Sequence, residues 1–151
     1  MKKYNIRVMK EEDFTQVSSL WSRIQGLSIR SMDDSMEGIL RFIRRNPNTS
    51  IVAEIEGTIV GTILCGHDGR EATLYHVCVQ KEFRELGIGH QMVEASLTEL
   101  RKEKVSKVKL VAFDHNEIGN QFWQHSGWSV RKDLNLFEYS LNEDNIVKVN
   151  E

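Results

Sequence analysis

An apolar strand that runs directly into a glycine-bearing turn and then a long helix constrains this chain more than any other stretch. The segment reads Val77-Cys78-Val79-Gln80-Lys81-Glu82-Phe83-Arg84-Glu85-Leu86-Gly87-Ile88-Gly89-His90. Glycine adopts positive φ at no steric cost and lets the backbone come close to a ligand. The N–H groups that open a helix have no intrahelical acceptors, and the helix dipole adds partial positive charge there. With the fixed charge of Arg84 beside them, they form a site suited to a pyrophosphate. The pattern is neither the P-loop, which needs GxxxxGK and then Ser or Thr, nor the GxGxxG of a dinucleotide fold. As a bare string, Arg-x-x-Gly-x-Gly is weak, and its plain alternative is a helix start with ordinary glycines. Its place between strand and long helix gives it weight.

The rest of the chain alternates between the two periodicities. Residues 4–8 alternate as a short edge strand. From Glu11 onward, Phe14, Val17, Leu20, Trp21 and Ile24 recur at three and four, an amphipathic helix that Gly26 can end. A second helix follows Asp33 or Asp34, either a good N-cap, with Met36, Ile39, Leu40 and Ile43 on one face. Asn46-Pro47-Asn48 stops it. Residues 51–55 and 58–65 form a hairpin around Glu56-Gly57, and His67-Asp68-Gly69 turns into a strand over 72–79. Residues 87–104 carry a long helical pattern, 108–112 a strand, and 117–125 a short helix bounded by Gly127. Residues 128–130 and 134–141 are expected as a closing hairpin, with a frayed polar tail beyond. The order β-α-α-β-β-β-α-β-α-β-β predicts one mixed α/β (α+β) domain with a largely antiparallel central sheet and a core over about residues 4–141.

Twenty Lys and Arg against 22 Asp and Glu leave a formal charge of -2. That balance supplies no general attraction to nucleic acid or an anionic membrane. The first residues lack the apolar stretch of a signal peptide, and nothing approaches the ~20 apolar residues of a membrane span. Cys65 and Cys78 sit inside apolar runs, so they are expected as reduced core thiols in a cytoplasmic protein. Neither has a second ligand at metal spacing, so no metal is expected.

The strand–Arg84–Gly87–Gly89–helix segment resembles the coenzyme A signature of the GNAT superfamily, the GCN5-related N-acetyltransferases. A second segment, from Asn116 through Trp123 to Gly127-Trp128, resembles that family's downstream motif in order and spacing. The element order fits from residue 4 to residue 141, so the likeness covers nearly the whole chain.

The resemblance implies a bulge near Cys78 and Val79, from which the next strand splays away. Backbone groups of Cys78 and Val79 would contact the pantetheine and the thioester carbonyl of acetyl-CoA. Backbone from Arg84 through Glu85, Leu86, Gly87, Ile88 and Gly89 to His90 would hold the pyrophosphate. Asn116 would contact the pantetheine arm, and Trp123 would lie near the thiol. Relatives often carry a Tyr at the place of Trp123, where it protonates the leaving thiolate. An indole N–H donates a hydrogen bond but gives up no proton at neutral pH, so the general acid is unassigned. Many relatives also place a Glu on the strand before the signature, where residues 72–79 hold no carboxylate.

Tyr75 and His76 are the polar candidates there, and regular alternation would send them to opposite faces. His76 has a suitable ordinary pKa, near 6.5, with a packed and satisfied core histidine as the alternative. Tyr75 would line the acceptor pocket, and a water relay to Glu71 or Asp68 is a further option. Trp21, Ile24, Leu27 and Arg30 lie where the family borders its acceptor site, although core packing explains Trp21 and Ile24 as well. Glu85, an acid where relatives often carry a base or Gly, would weaken the cradle if it pointed inward.

Three functions fit. The first is an N-acetyltransferase moving acetyl from acetyl-CoA to a primary amine of a small molecule, peptide or protein. The second is an acyl-CoA-binding module with little catalysis, acting as a sensor or partner subunit. The third acts on RNA-linked amines or a protein partner, and the charge balance disfavours RNA. A homodimer is an open possibility, because a final strand in this family often helps form one.

Overall fold

A computed structural model describes residues 3–151. In chain order it contains β1 (Asn5–Val8), α1 (Phe14–Arg23), β2 (Ser28–Arg30), α2 (Met36–Arg45), β3 (Ile51–Ile55) and β4 (Thr58–His67). There follow β5 (Glu71–Val79), α3 (Ile88–Lys102), β6 (Lys107–Leu110), α4 (Glu117–His125) and β7 (Val147–Val149). The main sheet has the order β1-β3-β4-β5-β6, and β2 with β7 makes a second, two-stranded sheet. All pairs are antiparallel except β5 with β6. No helix of the described residues is long and apolar enough to cross a membrane.

The two faces of the sheet carry separate cores. On one, Ile51, Ala53, Ile63 and Leu74 pack against Ile88, Met92 and Leu100 of α3. On the other, Val52, Ile59 and Leu64 pack against Val17, Leu20 and Trp21 of α1 and Ile39 and Ile43 of α2. A strand buried on both faces needs apolar residues at both parities, which is why β4 reads as a nearly continuous hydrophobic run. The β3–β4 turn falls at Glu56-Gly57, where φ is +50° and +81°, as a tight hairpin turn requires.

Parallel pairing of β5 with β6 covers only Glu71↔Lys107 to Leu74↔Leu110. Beyond that point β5 continues to Val79 while the chain after Leu110 leaves it. The second half of β5 therefore has one edge off the ladder, the splayed pair expected from the resemblance.

Five expectations need correction. The bulge lies earlier than Cys78 and Val79: β4 pairs Leu64 with Tyr75 and Thr62 with Cys78, so the extra residue falls at His76–Val77. His76 itself has φ +48°. A bulge interrupts alternation, so Tyr75 and His76 do not take opposite faces. The Tyr75 ring meets Phe42 of α2 at 6.1 Å and the His76 ring meets Trp21 of α1 at 4.7 Å, both on the α1/α2 side.

The cap of α2 is neither Asp33 nor Asp34. Ser35 Oγ accepts from Gly38 N at 3.1 Å, the preferred short-hydroxyl cap, and leaves both acids for other work. The closing hairpin is not formed either. Residues 129–141 are exposed throughout, with Phe137 at 89% and Leu141 at 96%. Their apolar alternation is real, but a pattern specifies a face and not a partner strand. Finally, the tail is not frayed: β7 pairs with β2, and Asn150 Nδ2 donates to Trp21 O at 2.7 Å and Ile24 O at 2.8 Å.

Candidate active site

The strand–helix junction supplies the first part of the site. After β5, Gln80 N donates to Val60 O at 2.7 Å, which holds the turn against β4. Glu85 and Gly87 take positive φ, +65° and +85°, and so fold the backbone back toward the helix axis. The first α3 bond runs from Gln91 N to Gly87 O, so the N–H groups of Ile88, Gly89 and His90 precede the ladder. No acidic side chain occupies the first turn of α3. Arg84 is exposed, and its Nε donates to Val79 O at 2.9 Å, tethering the guanidinium across the turn. Gly89 is a close approach: a Cβ there would lie 3.2 Å from the Phe122 ring of α4. Donors, dipole and Arg84 fit a diphosphate.

The second part is the bulge three residues back along β5 from Val79, roughly 10 Å by strand rise. Its backbone is held from below by a buried relay. Trp21 Nε1 donates to Thr62 Oγ1 at 2.9 Å, and Thr62 Oγ1 donates to His76 O at 2.8 Å. Trp21 is 1% exposed and Thr62 fully buried, so both links are shielded from water. Cys78 Sγ lies 3.4 Å from the same hydroxyl. Burial pushes the Cys78 thiol up to about 11, against the opposing pull of the Thr62 hydrogen bond. It is an inert core thiol; what it can offer a ligand is backbone.

The His76 side chain is fixed as firmly as its carbonyl. Its Nε2 lies 2.8 Å from Asp34 Oδ1, and the side chains are 14% and 7% exposed. A carboxylate only accepts, so Nε2 carries the hydrogen and Nδ1 of a neutral ring carries the lone pair. Asp34 Oδ2 accepts Arg30 N at 2.7 Å, which fixes the carboxylate in turn. The arrangement can hold an imidazole in one tautomer and stabilise it when it gains a proton. Asp34 was legible only as a helix cap, and nothing local in the sequence marks its contact with His76.

Beside this pair lies a cavity of about 410 Å³ between α1, β2 and β7. Trp21, Ile29 and Ile146 give it apolar walls, while Asp34 and Lys148 bring opposite charges to its lining. The walls follow from alternation: Ile29 and Lys148 are cross-strand partners on one face, which Ile146 and Asn150 share. Tyr75 is 46% exposed and lies outside this lining, as do Leu27 and the Arg30 side chain, which pairs with Asp33 at 3.5 Å. Glu71, offered as a relay, meets Lys109 at 3.6 Å. Asp68 caps its own turn by accepting from Arg70 N and Glu71 N.

The downstream motif forms α4. Asn116 Oδ1 accepts Gly119 N at 3.1 Å, the helix cap, leaving its Nδ2 for another partner. Phe122 stacks on His90 at 4.8 Å, which ties α4 to the start of α3. Trp123 packs between Phe122 and Trp128, at 5.0 and 4.8 Å. Among the described residues, no group of three or more His, Cys, Asp or Glu is placed to hold a metal.

Comparison with known proteins gives a consistent result. The model of the acetyltransferase (GNAT) family matches residues 13–128. The fold is similar to that of the PaiA N-acetyltransferase from Thermoplasma acidophilum, solved with coenzyme A, at a TM-score of 0.75 and 16% identity over 96% of each chain. It is similar to Ard1 from Thermoplasma volcanium at 0.72 and 22% identity, covering 85% of this chain and 84% of that one. Glucosamine-6-phosphate N-acetyltransferase from Arabidopsis thaliana matches at 0.66 and 20% identity, covering 91% and 99%.

Proposed function

The chain belongs to the acetyltransferase (GNAT) family, and from that premise we infer that it moves the acetyl group of acetyl-CoA directly to a primary amine of a small molecule, peptide or protein. The observation that carries this reading is the pairing of an anion cradle with a held imidazole on the same short stretch of chain. Acetyl-CoA supplies an activated thioester. The protein's work is then to bind it, orient an amine against it, and take the amine's proton.

Backbone from Arg84 through Glu85, Leu86, Gly87, Ile88 and Gly89 to His90 holds the pyrophosphate in this reading, with the N–H groups of Ile88, Gly89 and His90 as donors and the Arg84 side chain adding charge. Backbone of Cys78 and Val79, on the edge that β6 leaves open, meets the pantetheine and the carbonyl of the thioester. Asn116 Nδ2 is available to a pantetheine carbonyl because the cap uses only Oδ1. Trp123 closes the α4 side by packing and leaves the thiolate to be protonated by water. His76 is the base: Asp34 presents its Nδ1 as acceptor and offsets the positive charge once a proton arrives. Tyr75, on the same face, borders the approach of the acceptor. The acceptor is a small molecule or peptide amine rather than nucleic acid, given the near-zero net charge, and the two buried free thiols suit a reducing, cytoplasmic setting.

Thermal unfolding with and without acetyl-CoA tests the reading. Ligand at one hundred times its dissociation constant adds about 2.7 kcal/mol, which raises the midpoint of a domain of this size by roughly 5–10 °C. Such a rise is expected, with coenzyme A release on adding an amine. A rise without release would turn the reading to an acyl-CoA-binding module. No rise at millimolar ligand would overturn it.

A further inference from the structure

The cavity between α1, β2 and β7 has a charge pattern that says more about the acceptor than the family does. One wall holds Asp34, a buried carboxylate fixed by His76 Nε2 and Arg30 N. Two accepted bonds leave roughly two of its four lone-pair sites for a further donor. Lys148 enters the lining from the C-terminal strand β7, on the same face as Ile146. Among the described residues no carboxylate is paired with Lys148, whereas Arg30 is matched to Asp33 and Arg7 to both Asp13 and Glu54. The rest of the lining is apolar at Trp21, Ile29 and Ile146 and polar at Ser18, Ser22, Ser31 and Asn150.

A cavity whose lining offers an anion, a cation and hydrocarbon together complements a small dipolar ligand. A simple alkylamine would satisfy Asp34 and leave Lys148 unanswered. A polycation would meet Lys148 as a like charge, a repulsive contact that specificity exploits. An anionic sugar phosphate would find apolar walls where its hydroxyls need partners. An apolar α-amino acid satisfies all three surfaces, and about 410 Å³ is ample for one. We propose that this cavity is an acceptor subsite for apolar α-amino acids, with the ammonium toward Asp34, the carboxylate toward Lys148 and the side chain against Trp21, Ile29 and Ile146. The proposal rests on the acetyltransferase reading for what happens to the amine, but not for the binding itself. It also gives β7 a purpose: the C-terminal strand, held by Asn150 to the end of α1, is the wall that selects.

The test compares leucine with leucinamide and 3-methylbutylamine, which keep its amine and side chain and lack its carboxylate. With acetyl-CoA and full-length protein, kcat/KM for leucine is expected at least tenfold above either analogue. In Lys148→Met that ratio should fall to within twofold of one, through KM rather than kcat. Equal turnover of the three amines by the unaltered protein would overturn the proposal while leaving acetyl transfer standing. If acetyl-CoA neither binds nor turns over, the acetyltransferase reading fails, and calorimetric titration of leucine into the protein alone still decides the cavity. Millimolar or tighter binding that weakens tenfold in Lys148→Met supports the site; no heat of binding, or binding indifferent to Lys148, overturns it. Because Lys148 is exposed, its replacement should leave the fold intact, which circular dichroism verifies.

Discussion

His76 Nε2 and Asp34 Oδ1 are 2.8 Å apart although the residues are 42 positions apart in sequence, and each is held by a separate piece of backbone chemistry. Asp34 is anchored by Arg30 N, His76 by the Thr62 hydroxyl at its carbonyl. The pair therefore joins the loop before α2 to the bulge in β5. A residue at φ +48° outside glycine is sustained only where its surroundings compensate, and here they do so at both ends of the residue.

Thr62→Val tests that compensation. Valine preserves shape and removes the hydroxyl, leaving the Trp21 indole N–H and the His76 carbonyl without their shared partner. Orphaning buried polar groups costs about 2–3 kcal/mol in total. Urea unfolding should show a loss of that size, with an unchanged slope if only the native state is affected. A loss under about 0.5 kcal/mol would mean that the bulge does not depend on the relay.

Acid should find a second weak point at the start of the chain. Asp13 is 6% exposed and takes Arg7 Nη1 at 2.8 Å and Nη2 at 2.9 Å. Burial works to raise its carboxyl, but the Arg7 hydrogen bonds, Lys10 N and the Arg7 charge outweigh burial and hold it below its ordinary range. A carboxyl lowered in the folded state adds stability above its unfolded pKa, near 4, which is lost as pH falls through the folded value. Asp13→Asn should cost about 2 kcal/mol at neutral pH and progressively less below about pH 4. A difference from wild type that stayed constant down to about pH 2 would exclude this carboxylate as the source.

Both thiols should be silent in the native protein. Cys65 is 0% and Cys78 7% exposed, and burial raises both. Only thiolate reacts at a useful rate. Dithionitrobenzoate at about pH 8 should therefore detect no protein thiol within minutes, and both after denaturation in guanidinium. Fast reaction of either thiol in the native state would contradict its placement. The same silence makes the reagent a clean readout of coenzyme A release.

The parts of the site that were legible in the sequence are those built from contiguous chain. The run from Val77 to His90 carries its strand, turn and helix start in order, and Asn116 to Trp128 carries a capped helix. What escaped depends on contacts between distant segments or on one inserted residue. Asp34 reads as a cap because Asp is a good cap, and only the competing Ser35 frees it. The bulge at His76 has no local signature, since neither Gly nor Asn marks the positive φ, yet it decides that Tyr75 and His76 share a face. Residues 146–150 read as tail because three residues of strand are too short to show a period. The apolar alternation over 134–141, by contrast, has the pattern and no partner.

The turn at Gly87 is where cofactor binding can be separated from stability most directly. At φ +85° a valine is strained whatever space surrounds it, and the nearest atom to an added Cβ, Tyr4 Oη, is 3.8 Å away. The penalty is therefore conformational, not steric crowding, about 1–2 kcal/mol if the turn keeps its shape. If the turn relaxes instead, the N–H groups of Ile88, Gly89 and His90 lose their common aim, and affinity for a pyrophosphate falls with it. Gly87→Val should thus bind acetyl-CoA at least tenfold more weakly by calorimetry while unfolding a few degrees earlier. Arg84→Gln supplies the complementary case, in which charge is removed and the glycine at the positive-φ position is kept. It should weaken binding by a smaller factor that shrinks as salt is raised, because an exposed charge is screened. Unchanged affinity in both variants would remove the pyrophosphate from this junction. Loss in Gly87→Val alone would locate the binding in the backbone and leave Arg84 as a tether of the turn through Val79 O.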